Sequence, residues 1–461
     1  MPHQVEAVAK LLPSRVGALF MDMGTGKSRT AIELARIRQE KIDRIIWFCP
    51  VSLKTTIRYE ILKHTTCRAD QIYCFDQKTT ENSVPFDKQW YVVGIESMSS
   101  SARALHSVIS LIDERSMVIV DESTYIKGHR AKRTERITRI SEEARYRLIL
   151  TGTPITQGVV DLYAQMRFLD SKILGYKSFY SFAANHLEYS ARNRGQIIRS
   201  LNVGWLTERI RPYVYQVTKE ECLTLPKKLY SSWYCVLTKE QLDAYQAAKE
   251  DFFEDLLQYD DDRWDGLSNG IAVFRLFSRL QAIACGLADG REIPQTRIDL
   301  LEDIITMQAD SHIVIWTKYL AGIRQIEDRL KTGGRPVYRF DGSLSEKCRD
   351  KAIEDWQAKG GILVATQSLG GHGLDLTAAS TVIFYSCGFK YSEHVQAEDR
   401  CHRIGQTRPV TYVRLWADCG IENRIRLALE AKKNVLEMFK REVEKIKKTG
   451  KQSLREMIMS F

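Results

Sequence analysis

The sequence predicts an α/β chain of two lobes, each built on a parallel sheet with helices on both faces, joined by a helical insertion. Two sets of apolar runs carry that expectation. In the first third of the chain, Ile45–Cys49, Tyr91–Ile95, Val118–Val120 and Leu148–Leu150 alternate with longer amphipathic stretches. A short run that is apolar at every position suits a strand covered on both faces. The alternation returns at Ile313–Trp316, Ile362–Ala365, Val382–Tyr385 and Tyr412–Leu415, again with room for crossover helices between runs. A third observation separates the two sets: residues 160–285 are aromatic-rich and helix-like, with one extended stretch near Tyr230–Val236.

The expected boundaries are 1–220 for the first lobe, 221–290 for the helical insertion and linker, and 291–461 for the second lobe. Within the insertion, seven acids against one base fall between Asp251 and Asp265. That run, followed by Gly266, Ser268, Asn269 and Gly270, predicts an exposed turn or hinge. At the far end, residues 432–455 hold nine Lys/Arg against three Glu, with Val435, Leu436, Phe439, Val443 and Ile446 at helical spacing. They predict a basic amphipathic helix, packed on the second lobe or touching phosphate.

Composition narrows the function. With 461 residues, 44% hydrophobic and 27% charged, the chain can bury large cores and is neither disordered nor fibrous. No apolar run is long enough to span a membrane and no secretory signal is visible, so an intracellular protein without a membrane partner is expected. The ten cysteines form no CxxC pair, which argues against a zinc site or a disulfide framework and for reduced, mostly buried thiols. The net charge of +10 favours a polyanionic partner.

The first motif is Met21-Asp22-Met23-Gly24-Thr25-Gly26-Lys27-Ser28, between an apolar strand (Ala18–Phe20) and a helix with Ala31, Ile32, Leu34, Ala35 and Ile37. Glycines there let backbone amides converge on phosphates at a helix N-terminus, Lys27 neutralises β/γ charge, and Ser28 can ligate Mg²⁺. Met21 stands where the usual first glycine of such a loop would be. The second motif is Asp121-Glu122 at the end of the Val118–Val120 strand. Asp121 would hold Mg²⁺ through water, and Glu122 would accept a proton from the attacking water or orient it. Six cations follow (Lys127, Arg130, Lys132, Arg133, Arg136 and Arg139), opposed only by Glu135. They suit either a solvated helix face or contact with a nucleic-acid backbone. Tyr176, Phe179, Tyr180, Phe182, Trp205, Tyr213 and Tyr215 are read as lobe-packing aromatics more readily than as base-stacking ones.

In this order the segments resemble the Swi/Snf-type DNA translocases of helicase superfamily two, and the resemblance covers nearly the whole chain. Gln4, just before the first helix, is similar to the family's adenine-reading glutamine; Pro50–Lys54, Leu150–Ile155, Phe340–Ser343 and Gly370–Ala379 resemble further motifs. Leu225-Pro226-Lys227 and the Gln241–Tyr245 spacing resemble the family's protrusion, and Gln396–Gln406 (QAEDRCHRIGQ) matches its last motif at every fixed position. The resemblance implies two RecA-like lobes, a DNA-stimulated ATPase using ATP and Mg²⁺, and duplex DNA tracked by its backbone without sequence specificity. It also implies movement without full strand separation, DNA-bound proteins as partners, and no requirement for an oligomer.

Residue by residue, it implies ATP contacts at Gln4, Gly24, Thr25, Gly26, Lys27, Ser28, Gly373, Arg400 and Arg403, with Mg²⁺ at Ser28 and Asp121. Catalysis falls to Lys27, Glu122, Arg400 and Arg403, DNA contact to Ser52, Lys54, Ser97, Lys127, Thr151, Gly152 and Gly371, and coupling to Thr153 and Gln396. Three apart, Arg400 and Arg403 would share one helical face and reach the nucleotide together. Departures stand at Thr124, Asp375 and Phe389-Lys390. Asp375 is expected to pair with a cation of the second lobe or cap a helix. Alternatives are a strand-separating helicase and an ATP-gated clamp with feeble hydrolysis; a metal-dependent nuclease is disfavoured because Asp121 and Glu122 already serve ATP. Such compactness resembles that of bacterial or phage members, so a motor without targeting modules in a prokaryotic cytoplasm is expected.

Overall fold

The structure, a computed structural model, describes residues 1–155, 158–190, 197–223, 225–257, 266–308, 310–331, 334–371, 374–432 and 459. Two compact units divide it, Met1–Thr224 and Leu225–Phe461.

The first unit is a seven-stranded, all-parallel sheet: β1 (Val16–Met21), β2 (Arg44–Cys49), β3 (Ile72–Cys74), β4 (Trp90–Gly94), β5 (Ser116–Val120), β6 (Tyr146–Thr151) and β7 (Val214–Val217), in the order β3-β4-β2-β5-β6-β1-β7. The unbroken apolar runs follow from cover on both faces. Ala18, Phe20, Ile46, Phe48, Val118 and Val120 enter one core, while Leu19, Met21, Ile45, Trp47, Met117 and Ile119 enter the opposite one. Helices α1 (Pro2–Leu11), α2 (Lys27–Ile37), α3 (Lys54–His64), α4 (Lys132–Ile140) and α5 (Val160–Leu169) supply part of that cover. Gln4 lies inside α1, not ahead of it: Pro2 opens the helix, and Gln4 at its third position bonds back to the Met1 amine.

The second unit holds a six-stranded parallel sheet: β8 (Lys228–Cys235), β9 (His312–Thr317), β10 (Val337–Phe340), β11 (Gly361–Thr366), β12 (Thr381–Phe384) and β13 (Val410–Ala417), in the order β8-β13-β12-β9-β11-β10. Val314, Trp316, Leu363 and Phe384 face one core and Ile313, Ile315, Ile362 and Ile383 the other. Two long helices, α6 (Lys239–Leu257) and α7 (Gly266–Ala284), precede α8 (Arg297–Met307), and α9 (Tyr391–Asp399) and α10 (Gly420–Glu430) come late. Tyr245 and Ala248 of α6 and Leu276, Phe277, Leu280 and Ile283 of α7 join the Val314 core. The extended stretch near Tyr230 is β8, an edge strand of this sheet.

One sequence expectation is corrected here. Gly266, Ser268, Asn269 and Gly270 are helical, forming the first turns of α7. Downstream apolar positions anchor that helix, so tertiary burial overrides weak local propensity. The acidic run 258–265 and the basic segment 433–455 lie outside the described residues. All ten cysteines are free thiols; five are buried and one, Cys348, is exposed. Among the described residues no helix is long and apolar enough to cross a membrane.

Candidate functional site

β1 ends at Met21, and five residues turn the chain into α2. Gly24 and Gly26 take φ of 80° and 88°, a left-handed backbone that glycine adopts without strain. The loop also lies close under α1: a Cβ on Gly26 would stand 2.0 Å from Gln4 Nε2 and push that side chain aside. Thr25 Oγ1 donates to Asp22 O at 2.7 Å, and His3 Nε2 lies 2.8 Å from Thr25 O. Gln4 Nε2 donates to Gly26 O at 3.4 Å. Helix α1 thus rests on the loop and brings Gln4 beside Thr25 and Gly26. Lys27 opens α2, its Nζ donating to Met21 O at 2.7 Å and Asp22 O at 3.2 Å, with Ser28 next in the helix.

β5 delivers the acids two strands from β1. Asp121 is buried, its amide donating to Phe48 O at 2.8 Å, and its Oδ1 accepts from the Glu122 amide at 2.9 Å. Burial, then the Glu122 carboxylate beside it, pushes the Asp121 carboxyl well up from the ordinary aspartate range; the Lys27 ammonium opposes the shift. Glu122 itself sits at φ 48°, a conformation that costs a non-glycine residue roughly 1 kcal/mol or more. Thr124 Oγ1 donates to Glu122 O at 3.5 Å.

Between β5 and β1 runs β6, whose end carries Thr151-Gly152-Thr153. A Cβ on Gly152 would reach 3.4 Å from Met21 O and from Met23 N, so this turn lies against the phosphate-type loop. Thr151 is fully buried and its Oγ1 accepts from the Thr153 amide at 3.1 Å. One residue that sequence reasoning missed ties the two segments together. Gln165 of α5 accepts from Ser123 Oγ at 2.6 Å and donates to Pro154 O at 2.9 Å. Its only sequence signal is a glutamine among the mostly apolar residues of Val160–Leu169.

The expected nucleic-acid contacts in the first unit scatter. Ser52 is exposed beside α3, while Lys54 opens that helix and donates to Phe75 O at 2.7 Å. Ser97 is half-buried, and Lys127 Nζ lies 3.6 Å from the buried Asp161 carboxylate. In the cationic stretch, Arg136 donates to Met98 O and Arg130 to Tyr180 Oη, while Arg133 lies over the Tyr125 ring. Phe179, Phe182, Tyr176 and Trp205 pack with His129 and His186 in a ring cluster, as lobe-packing aromatics do.

In the second unit α9 ends at Asp399, Arg400 caps it, and Arg403 lies in the turn beyond, so the two arginines share no helical face. At the end of the helix Glu398 O accepts the amides of Cys401 and His402, and Gln406 Nε2 donates to Cys401 O at 3.1 Å, tying the turn together. Arg403 donates to Leu374 O at 3.3 Å and Arg400 is buried. Gln396 is half-buried on α9. Among the described residues Asp375 neither pairs with a cation nor caps a helix: its Oδ1 accepts from Thr377 N and Thr377 Oγ1, closing a local turn instead. Phe389 is buried under Lys318, whose Nζ lies 3.3 Å from the ring centroid. Gly371 ends a short 3-10 helix, and Gly373 lies outside the described residues.

The residues of the first unit suit a triphosphate and a hard divalent cation. Lys27 and Ser28 stand at a helix N-terminus behind a loop whose Gly24 and Gly26 take a left-handed backbone, and Asp121 is a buried carboxyl that a cation would stabilise in its charged form.

A family profile described as the SNF2-related domain matches residues 3–285, more than half of the chain, and one described as the helicase conserved C-terminal domain matches 296–405. The chain belongs to the SNF2-related family. Among its relatives are the Bacillus subtilis protein YwqA, 27% identical over 356 residues (74% of this chain, 37% of that one), and the Arabidopsis thaliana ATP-dependent DNA helicase DDM1, 28% identical over 335 residues (67% and 43%). Zebrafish (Danio rerio) chromodomain-helicase-DNA-binding protein 1-like is 24% identical over 92% of this chain and 42% of its own. This SNF2-related chain therefore spans about two fifths of those relatives' length. A solved structure of the Sulfolobus solfataricus SWI2/SNF2 ATPase core in complex with dsDNA aligns at a TM-score of 0.44 and 24% identity, covering 99% of this chain and 94% of that one.

Proposed function

We propose that this chain is a DNA-stimulated ATPase that moves along duplex DNA and remodels protein–DNA complexes without fully separating the strands. The observation that carries the reading is the gathering, within the first unit, of Gln4 and Lys27 at one loop, Asp121-Glu122 two strands away, and Thr151–Thr153 against the loop between them.

In this reading Gly24, Thr25 and Gly26 present backbone amides to the phosphates, Gln4 reads the base, and Lys27 neutralises the oxygens of the leaving and transferred groups. Mg²⁺, held through Ser28 and Asp121, would supply Lewis-acid neutralisation of those oxygens. Glu122 orients the attacking water or takes its proton. Arg400 and Arg403 stabilise the charge that develops on the transferred phosphoryl group. Thr153 and Gln396 couple hydrolysis to movement.

Ser52, Lys54, Ser97, Lys127, Gly152 and Gly371 contact the DNA backbone, joined by the exposed Arg130, Lys132 and Arg139, while Thr151, fully buried, supports that turn from within. That one relative is named a DNA helicase favours DNA over RNA.

The test is steady-state ATP hydrolysis with no nucleic acid, single-stranded DNA, duplex DNA and RNA, using Glu122→Gln and Arg403→Ala as controls. Duplex DNA should stimulate most, and both substitutions should abolish the gain. Equal rates in all four conditions, or full activity of Glu122→Gln, would sink the assignment.

A further inference from the structure

The last motif of the chain contains more than its two arginines, and its remaining polar residues converge on one place. Glu398, at the end of α9, is buried, yet four side chains surround its carboxylate. Lys228 Nζ lies 3.1 Å and Tyr230 Oη 2.9 Å from Oε2; Arg414 Nη2 lies 3.1 Å and His394 Nε2 3.2 Å from Oε1. Asp399 Oδ1 stands 3.4 Å from the same Lys228 ammonium, and Tyr412 Oη donates to Glu398 O at 2.8 Å. His402, between the arginines, places Nε2 2.7 Å from Pro226 O.

Lys228 and Tyr230 lie on β8, and Pro226 just ahead of it: they are the first residues of the second unit, which begins at Leu225. The connecting chain therefore reaches β8 only after contacting the turn that carries Arg400 and Arg403. From the other side, the 374–379 segment grips the same turn through Leu376 N to Arg400 O (3.1 Å), Arg403 Nη1 to Leu374 O (3.3 Å) and Gln406 Nε2 to Ala379 O (2.9 Å).

We propose that Lys228, Tyr230 and His402 are positioning residues, clamping the connector to the arginine turn so that the placement of Arg400 and Arg403 answers to the connector's course. The inference rests on the reading of those arginines given above. Its physical basis is the cost of separating buried charged partners: the Lys228 ammonium bridges the Glu398 and Asp399 carboxylates, and Tyr230 and His402 add two further bonds between the same segments, so connector and turn move together. A displacement of about 1 Å in a catalytic group is enough to cost on the order of 100-fold in rate.

The experiment is a double-mutant cycle on the full chain, Lys228→Met against Arg403→Ala, with Tyr230→Phe as a milder variant and Lys228→Arg as the conservative one. DNA-stimulated kcat should fall roughly 10- to 100-fold in Lys228→Met, less in Tyr230→Phe, and recover most of the loss in Lys228→Arg. Affinity for a fluorescent ATP analogue should stay within about twofold, because that loop belongs to the other unit. Hydrogen exchange should rise at residues 400–406 and not at 22–30. In the Arg403→Ala background, Lys228→Met should lower the residual hydrolysis rate measured with DNA by less than about threefold, since the group it positions is gone.

The same fold-loss in both backgrounds, or losses that merely follow the melting temperature across the three variants, would overturn the clamp. An Arg403→Ala enzyme hydrolysing at the parental rate would overturn the underlying reading of the arginines, and the clamp with it.

Discussion

Ser123 Oγ donates to Gln165 Oε1 at 2.6 Å, and both residues are fully buried. Gln165 passes the link on to Pro154 O, so the segment after the acids and the turn after β6 meet through one amide. Gln165→Leu keeps the volume but strands the Ser123 hydroxyl and the Pro154 carbonyl, at a cost of about 1–3 kcal/mol. Unstimulated ATP hydrolysis should persist within about threefold while stimulation by duplex DNA falls at least tenfold, because the amide touches neither nucleotide nor water in the proposed site. Parallel titrations of ATPase rate against DNA check this; equal loss of both rates would make Gln165 a purely structural residue.

Two glycines separate backbone strain from site chemistry. Gly26 and Gly175 both have positive φ, 88° and 72°, but only Gly26 has a neighbour that a Cβ would strike. Alanine at either position should lower stability by about 1–2 kcal/mol through the left-handed backbone. Only Gly26→Ala should also weaken ATP binding, by more than about tenfold, since it displaces Gln4. Adding Gln4→Ala removes the clash and should leave the strain, returning part of the stability and little of the affinity. Melting curves and nucleotide titrations on the three variants decide it.

What the sequence made legible followed from patterns that local physics enforces. Strands buried on both faces must be apolar at every position, which is why the runs at Ile45, Val118, Ile313 and Ile362 fell on β2, β5, β9 and β11. The glycine-bearing loop could be read because positive φ and close approach admit few other residues. β3, β7 and β10 carried little signal, being three or four residues long. Gln165, Lys228 and Tyr230 were invisible for another reason: their partners lie 42, 170 and 168 residues away, and no local spacing encodes such a contact. Asp375 and the arginine turn went astray because turn chemistry at Thr377 and Gln406 prevailed over helical spacing.

The second unit has its own buried ion pair, far along the chain from either motif. Arg297 and Glu422 are each about 1% exposed and bond directly, with Arg297 also donating to Tyr385 O and Glu422 accepting from the Ala417 amide. Removing one partner leaves a buried charge alone, so Arg297→Leu should destabilise the second unit by about 3–5 kcal/mol. Replacing both with leucine should cost less than either single change. Nucleotide affinity, a property of the first unit in the proposed reading, should be unchanged. A double variant as unstable as the sum of the singles would contradict the pairing argument.

Glu398 predicts a pH dependence whose sign can be worked out. Burial alone would raise its carboxyl, but the His394 ring and the Lys228 ammonium beside it bring it down to about 2, below the 4.5 of an unperturbed glutamate. A group depressed on folding stabilises fully above its unfolded value and loses that contribution as pH falls through the folded one. The window is therefore about 4.5 down to about 2, and the contribution at stake is about 3 kcal/mol. In Glu398→Gln that contribution is absent, so the stability gap between parent and variant should be widest near neutrality and narrow steadily once the pH drops below about 4.5. Denaturant melts of the second unit's transition from pH 6 to 3 measure the gap. A gap that stayed constant across that range would mean that the carboxylate's charge adds nothing to the fold, and that Lys228 and Tyr230 hold the turn by packing alone.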